Sequence, residues 1–192
     1  DALENFDYDL QEFEDQLDRF IDMFEQAIAE QKIDEVVKRL EKMVKAQENI
    51  STDIQRDDAN LSELASKERR QEEQFKKLKE TMKDASQAME KSSESASEKM
   101  DELLNSPLTK ETESEIKNTR KNLQKSQKDQ ASKSSDKSKK NLENMLNEAM
   151  AIQKQFQEET VDEMMNAFLS VVRNVLYISQ SQEKLIKNGE KL

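Results

Sequence analysis

Turn formers are nearly missing from this chain. Its 192 residues include one glycine, Gly189, and one proline, Pro107. A sheet protein places Gly, Asn or Pro at its hairpins, so β architectures are excluded and an all-helical chain remains. The same shortage excludes a Gly-rich phosphate loop or dinucleotide turn. Histidine and cysteine are absent. That removes zinc fingers, haem ligation, the Cys–His and Ser-His-Asp constellations and the Glu-x-x-His ligands of di-iron bundles. No Asp/Asn-rich loop followed by glycine offers a calcium site. The expectation is therefore a chain without catalytic residues, cofactor or metal, and without an evident small-molecule ligand. Carboxylates do occur in pairs, at Glu72-Glu73, Glu158-Glu159 and Asp162-Glu163, but among 42 acids such pairs arise by chance. A hydrolase built on one would need two acids facing each other across an apolar cleft.

Helical periodicity is strong at the start. Leu3, Phe6, Leu10, Phe13, Leu17, Phe20 and Phe24 recur at alternating spacings of 3 and 4 with acids between them. This is an a/d seam, and its aromatic content implies that other helices cover it. Gln31-Lys32-Ile33-Asp34 resembles a tight turn, with Asp34 capping the next helix. From Val36 the spacing continues through Leu40, Met43, Ile50, Ile54, Leu61, Leu64, Phe75, Leu78, Met82 and Met89 to Ala96, while Met100 and Leu103 fall one position out of phase. Gln47, Asp57, Glu68 and Gln71 interrupt that seam. They either fix register inside a core or mark where the seam rolls outward into water.

Asn105-Ser106-Pro107-Leu108 is a clear break, with Ser106 as cap and Pro107 at the first helical position, and Thr112 to Glu115 offers a second capping box. Ile116 and Leu123 precede a Gln/Lys/Ser-rich stretch, Gln124 to Asn141, which reads as the weakest helix, frayed or disordered. The pattern resumes from Leu142 to Phe156, and Thr160-Val161-Asp162-Glu163 is a capping box that opens or kinks the last and most apolar helix. Asn49-Ile50-Ser51 and Asn60-Leu61-Ser62 match the glycosylation triplet, but both fall within helical pattern.

Only 33% of the residues are apolar and 38% are charged, too lean for a compact globule of this length. Elongated helix pairs need a narrower seam. The predicted architecture is an elongated, all-α molecule. A four-helix head is formed by residues 1–64 and 142–188, and a protruding antiparallel coiled-coil stalk by 65–141, with its tip near 105–109. A compact alternative folds the weak third helix against the first.

Charge is unevenly spread within a net of −11. Residues 1–30 hold eleven acids and one base, whereas residues 110–140 hold ten bases and five acids. An acidic chain repels nucleic acid, and the basic stretch reads as a solvated face or a partner for the acidic end. No run of eighteen apolar residues exists to span a bilayer; Val161 to Ile178 carries Asp162, Glu163, Asn166, Arg173 and Asn174. The chain opens at Asp1 already within helical pattern, as an excised piece of a larger protein would. The expected partners are therefore protein, by docking or self-association. The candidate interaction surface is Phe6, Phe13, Phe20, Phe24, Met164, Met165, Phe168 and Tyr177.

Residues 162–169 (Asp-Glu-Met-Met-Asn-Ala-Phe-Leu), 173–179 (Arg-Asn-Val-Leu-Tyr-Ile-Ser) and 182–186 (Gln-Glu-Lys-Leu-Ile) form a sequence that resembles a helical region of large bacterial proteins, domain-of-unknown-function family 4175. Residues 33–40 (Ile-Asp-Glu-Val-Val-Lys-Arg-Leu) with Gln47-Glu48-Asn49 are similar to an earlier helix of that family. The resemblance covers about half the chain. It implies a soluble region of a long envelope protein anchored by N-terminal transmembrane helices, which this chain lacks, and it supplies no catalytic residues. The function expected on these grounds is a non-enzymatic interaction or spacer module. The alternative is an adaptor that binds a partner helix through an apolar head surface.

Overall fold

The computed structural model describes the backbone of residues 2–189, with side chains from Glu14 to Val161 and a subset between Met165 and Gln180. It is all-helical over these residues: α1 (Ala2–Gln55), α2 (Leu61–Met89), α3 (Glu94–Asn105), α4 (Pro107–Gln124) and α5 (Lys128–Gly189). The chain runs up and down four times, with α3 and α4 sharing the third pass. In the resulting bundle α1 lies against α2 and α5, and α4 against α2 and α5.

One end of the bundle is closed by Ile50, Ile54, Leu64, Ala65, Leu123 and Ala131, which pack together as a buried cluster. The main core lies on the other side of the Gln47 level. It joins Ile33, Val36 and Leu40 of α1, Phe75, Leu78 and Met82 of α2, Met100 and Ile116 of the third pass, and Leu142, Met145 and Phe156 of α5. Buried positions span Gln26 to Ile54 on α1 and Ala131 to Thr160 on α5. About 30 residues per pass make a bundle about 45 Å long. Beyond the turn between α2 and α3, tied down by Lys91 to Glu25 at 2.7 Å and by Ser93 donating to Glu159, α1 and α5 continue as two extensions leaving the same end.

The helical class agrees with the sequence, but the division into head and stalk does not. Residues 65–141 are bundle core rather than an arm: α2 buries Phe75, Leu78, Met82 and Met89 among residues of α1 and α5. The reason is an unrecognised stop. The 3–4 spacing runs unbroken across Asp57 and Asp58, yet the helix ends at Gln55, and Asn60 starts α2 by accepting a hydrogen bond from the Glu63 amide at 3.1 Å. A second break at residues 90–93 restarts the helix at the Ser93 cap, which explains why Met100 and Leu103 stand out of phase. The glycosylation triplet at Asn60 is thus a cap and not mid-helix.

Three further expectations are corrected. No turn exists at residues 31–34; α1 is continuous there, Ile33 is fully buried and Asp34 pairs with Lys38 at 2.6 Å. The Thr112 and Thr160 boxes cap nothing, because both hydroxyls donate to the carbonyl one turn back, Leu108 and Phe156, inside unbroken helices. The lean stretch 124–141 is mostly ordered helix. After a turn in which Ser126 takes φ 56°, α5 buries Ala131, Ser134, Ser135 and Ser138, small residues that let it approach its neighbours closely. The break at Pro107 is as expected. Ser106 caps α4 by accepting from the Thr109 amide at 3.1 Å, and Pro107 has no amide hydrogen to leave unpaired.

Candidate functional site

Two features stand apart from ordinary core packing. One is a polar layer inside the bundle; the other is the surface of the two extensions.

The polar layer sits between the two apolar clusters. Gln47 Nε2 donates to Glu68 Oε1 at 2.6 Å and to Ser135 Oγ at 3.0 Å, joining α1, α2 and α5. All three residues are buried, as are Gln71, Thr119 and Ser138. The polar seam residues therefore face the core at three of the four positions, and Asp57 alone lies exposed in the α1–α2 connection. Burial pushes the Glu68 carboxyl up to about 8, only partly offset by the hydrogen bond from Gln47 and reinforced by the nearby Glu72 carboxylate. At neutral pH Glu68 is thus mostly a neutral acid. Its Oε2 and Gln47 Oε1 are buried without a hydrogen-bond partner; protonation gives that carboxyl a donor. Around the layer, charged groups are partnered: Arg120 with Glu72 at 2.7 Å, partly buried, Lys139 with Glu48 at 3.1 Å, and Asp136 with the buried Ser51 hydroxyl, which donates to it at 2.5 Å.

Two of the three acid pairs of the sequence do not converge, and the side chains of the third, Asp162 and Glu163, lie outside those described. Glu72 faces Arg120 while Glu73 lies 3.9 Å from Arg69, and Glu158 pairs with Lys154 while Glu159 takes the Ser93 hydroxyl. Hydrogen bonds from Ser93 and Gln155 hold the Glu159 carboxyl below its usual range. A cleft between α1 and α2 of about 620 Å³ is lined by Asp34, Glu35, Lys38, Arg39, Met43 and Gln71 among others. Four of its five charged residues pair within one turn of α1, Arg39 with Glu35 and Lys38 with Asp34, both at 2.6 Å, and Lys42 is the fifth. Among the described residues no cluster of three or more acids is placed to hold a metal, and no helix is long and apolar enough to cross a membrane.

On the extensions, the described part of the first seam, from Leu17 on, lacks the expected cover. Phe24 is 68% exposed and Leu17 50%, and Phe20, Ile21 and Ile28 are exposed as well. On α5, Val161, Met165, Phe168, Leu169, Val172 and Leu176 are exposed in the same way. Each set falls within an arc of about 100° on its helix, a continuous stripe rather than scattered residues. The structure thus brings Phe20, Phe24, Met165 and Phe168 to the surface at one end of the molecule; the side chains of Phe6, Phe13, Met164 and Tyr177 lie outside those described. The sequence places both of these helices in a head, whereas their described apolar side chains lie exposed. Leu17, Ile21 and Ile28 were missed as surface residues, although their 3–4 spacing with Phe24 was visible.

The chain matches no family model, no curated protein and no solved structure with which it was compared.

Proposed function

We propose that this chain is a non-enzymatic helical interaction module, in which a four-helix bundle holds two apolar-striped helices out from one end for a protein partner. The observation that carries this reading is the exposure of both stripes. Among the described residues eleven large apolar side chains stand in water there, next to a bundle that buries its own apolar residues almost completely. A contiguous apolar surface of that kind on an otherwise charged molecule marks a binding face. The bundle serves as its rigid base, and α5, whose 62 residues span about 93 Å, transmits position from base to tip. Of the two forms of the reading, adaptor and spacer, the exposed stripes favour the adaptor. The likeness of residues 33–49 and 162–186 to the helical region of the family 4175 envelope proteins supports a larger, membrane-anchored bacterial parent as the setting.

Photocrosslinking in the cells that make the protein tests this. A crosslinking amino acid at Phe24 or Phe168 should give discrete adducts with protein, while the same group at Glu73 or Glu98 on the bundle surface should give none. Equal yields at all four positions would contradict the proposal.

A further inference from the structure

The two stripes differ in what flanks them. On α1 the apolar row Leu17, Phe20, Ile21, Phe24 and Ile28 runs beside a row of acids, Glu14, Asp18, Asp22 and Glu25, spaced by 4, 4 and 3 residues. Such spacing keeps the acids along one flank of the apolar row. All four lie at the surface, Glu25 in part, and only Arg19 among residues 1–30 carries a positive charge. The stripe on α5 has no such row; between Val161 and Gln180 only Asp162, Glu163 and Arg173 are charged.

Resting on the interaction-module reading, we propose that residues 14–28 of α1 dock an amphipathic helix whose apolar stripe is flanked by lysine or arginine. Flanking charges beside an apolar seam select partner and orientation in helix pairs. The α1 stripe of a second copy is the wrong occupant. Antiparallel self-pairing of α1 sets acid row against acid row, and parallel pairing sets the acids against the opposite flank, where Phe20 and Ala27 offer no charge. A basic helix satisfies both rows together. One such contact exists within the molecule: Lys91 reaches both oxygens of Glu25, at 2.7 and 3.0 Å. Leu17 to Ile28 spans about 17 Å, so a partner helix of about four turns covers the stripe and the acids.

The test uses the whole chain and three fluorescent 18-residue helices followed by anisotropy. Two share one leucine stripe, flanked by Lys/Arg in one and by Glu in the other; the third is the basic peptide with its stripe scrambled. The basic striped helix should bind at least tenfold more tightly than either control at 50 mM salt, with the preference over the acidic helix shrinking at 500 mM. Phe24→Ser should weaken it at least tenfold. A Glu14→Lys/Asp18→Lys/Asp22→Lys variant should reverse the charge preference, with unchanged bundle unfolding showing that the fold is intact. Binding of the two striped helices within twofold of each other overturns the basic partner while leaving an apolar docking face. Binding of the scrambled basic peptide as tightly as the striped one overturns it too, since charge alone then suffices. A chain that sediments as a dimer and becomes monomeric on Phe24→Ser overturns it in favour of self-association. No binding of any helix, with Phe24 and Phe168 crosslinking no more than bundle positions, removes both readings.

Discussion

Glu68 is a carboxylic acid in the middle of a four-helix core, and its burial there couples its proton to folding. Its folded-state pKa is raised from 4.5 to about 8. In the unfolded chain it releases its proton near 4.5, so between those values the folded state binds more protons and stability falls as pH rises. The Glu68 contribution is fully present below about 4.5 and lost through about 8, a change on the order of several kcal/mol. Glu113, held low by hydrogen bonds from Lys117 and Lys79, acts in the opposite sense, and its contribution is lost as pH falls below the ordinary carboxylate range. The two windows therefore separate. Urea denaturation at pH 5, 6.5 and 8 should show stability dropping across the series, and Glu68→Gln should flatten that drop and raise stability at pH 8 by about 1–3 kcal/mol. An equal slope in the variant would show that Glu68 is not the titrating group. Gln47, Glu68 and Gln71 were conspicuous in the sequence as polar residues on an apolar seam. Whether they faced core or water was not legible, because the answer depends on Ser135, which lies 88 residues from Gln47 and offers a small hydroxyl just where the amide needs one.

The helices themselves are set by a few end residues. Asn60 and Ser106 each accept a backbone amide at 3.1 Å, so Asn60→Ala or Ser106→Ala should each cost about 1 kcal/mol in chemical denaturation. Ser126 holds φ at 56°, where a side chain is crowded and glycine is not. Ser126→Gly should stabilise the protein by about 0.5–1 kcal/mol, and a loss instead would mean that the side chain has an unrecognised role. These ends explain which elements the sequence revealed. The Ser106-Pro107 break was plain because proline ends a helix on its own. The break before Asn60 was hidden because Ile54 and Leu61 keep the helical spacing across the connection, so periodicity alone joined two helices into one. The continuous α1 was hidden for the opposite reason: a short polar run at Gln31-Lys32 imitated a turn, while the buried Ile33 beside it belongs to the main core.

At the scale of the molecule, the low apolar fraction has a different meaning from the one the sequence suggested. The lean middle of the chain folds because serine, threonine and alanine pack closely in a four-helix bundle, as Thr109, Thr112, Thr119, Ala131, Ser135 and Ser138 do. The rich chain ends are what protrude. A full seam of Phe and Leu predicts cover from within this chain, but α2 turns back at Met89 and leaves α1 and α5 to run on without it. The absence of cysteine makes this inversion directly measurable by thiol labelling. Single-cysteine variants Phe24→Cys and Phe168→Cys should react with a maleimide within about threefold of a free thiol. Leu78→Cys, fully buried in α2, should react at least a thousandfold more slowly, at a rate limited by opening of the bundle. Slow labelling at positions 24 and 168 together with fast labelling at position 78 would contradict the account, because it would place the chain ends in the core and residues 65–141 in a thin exposed stalk.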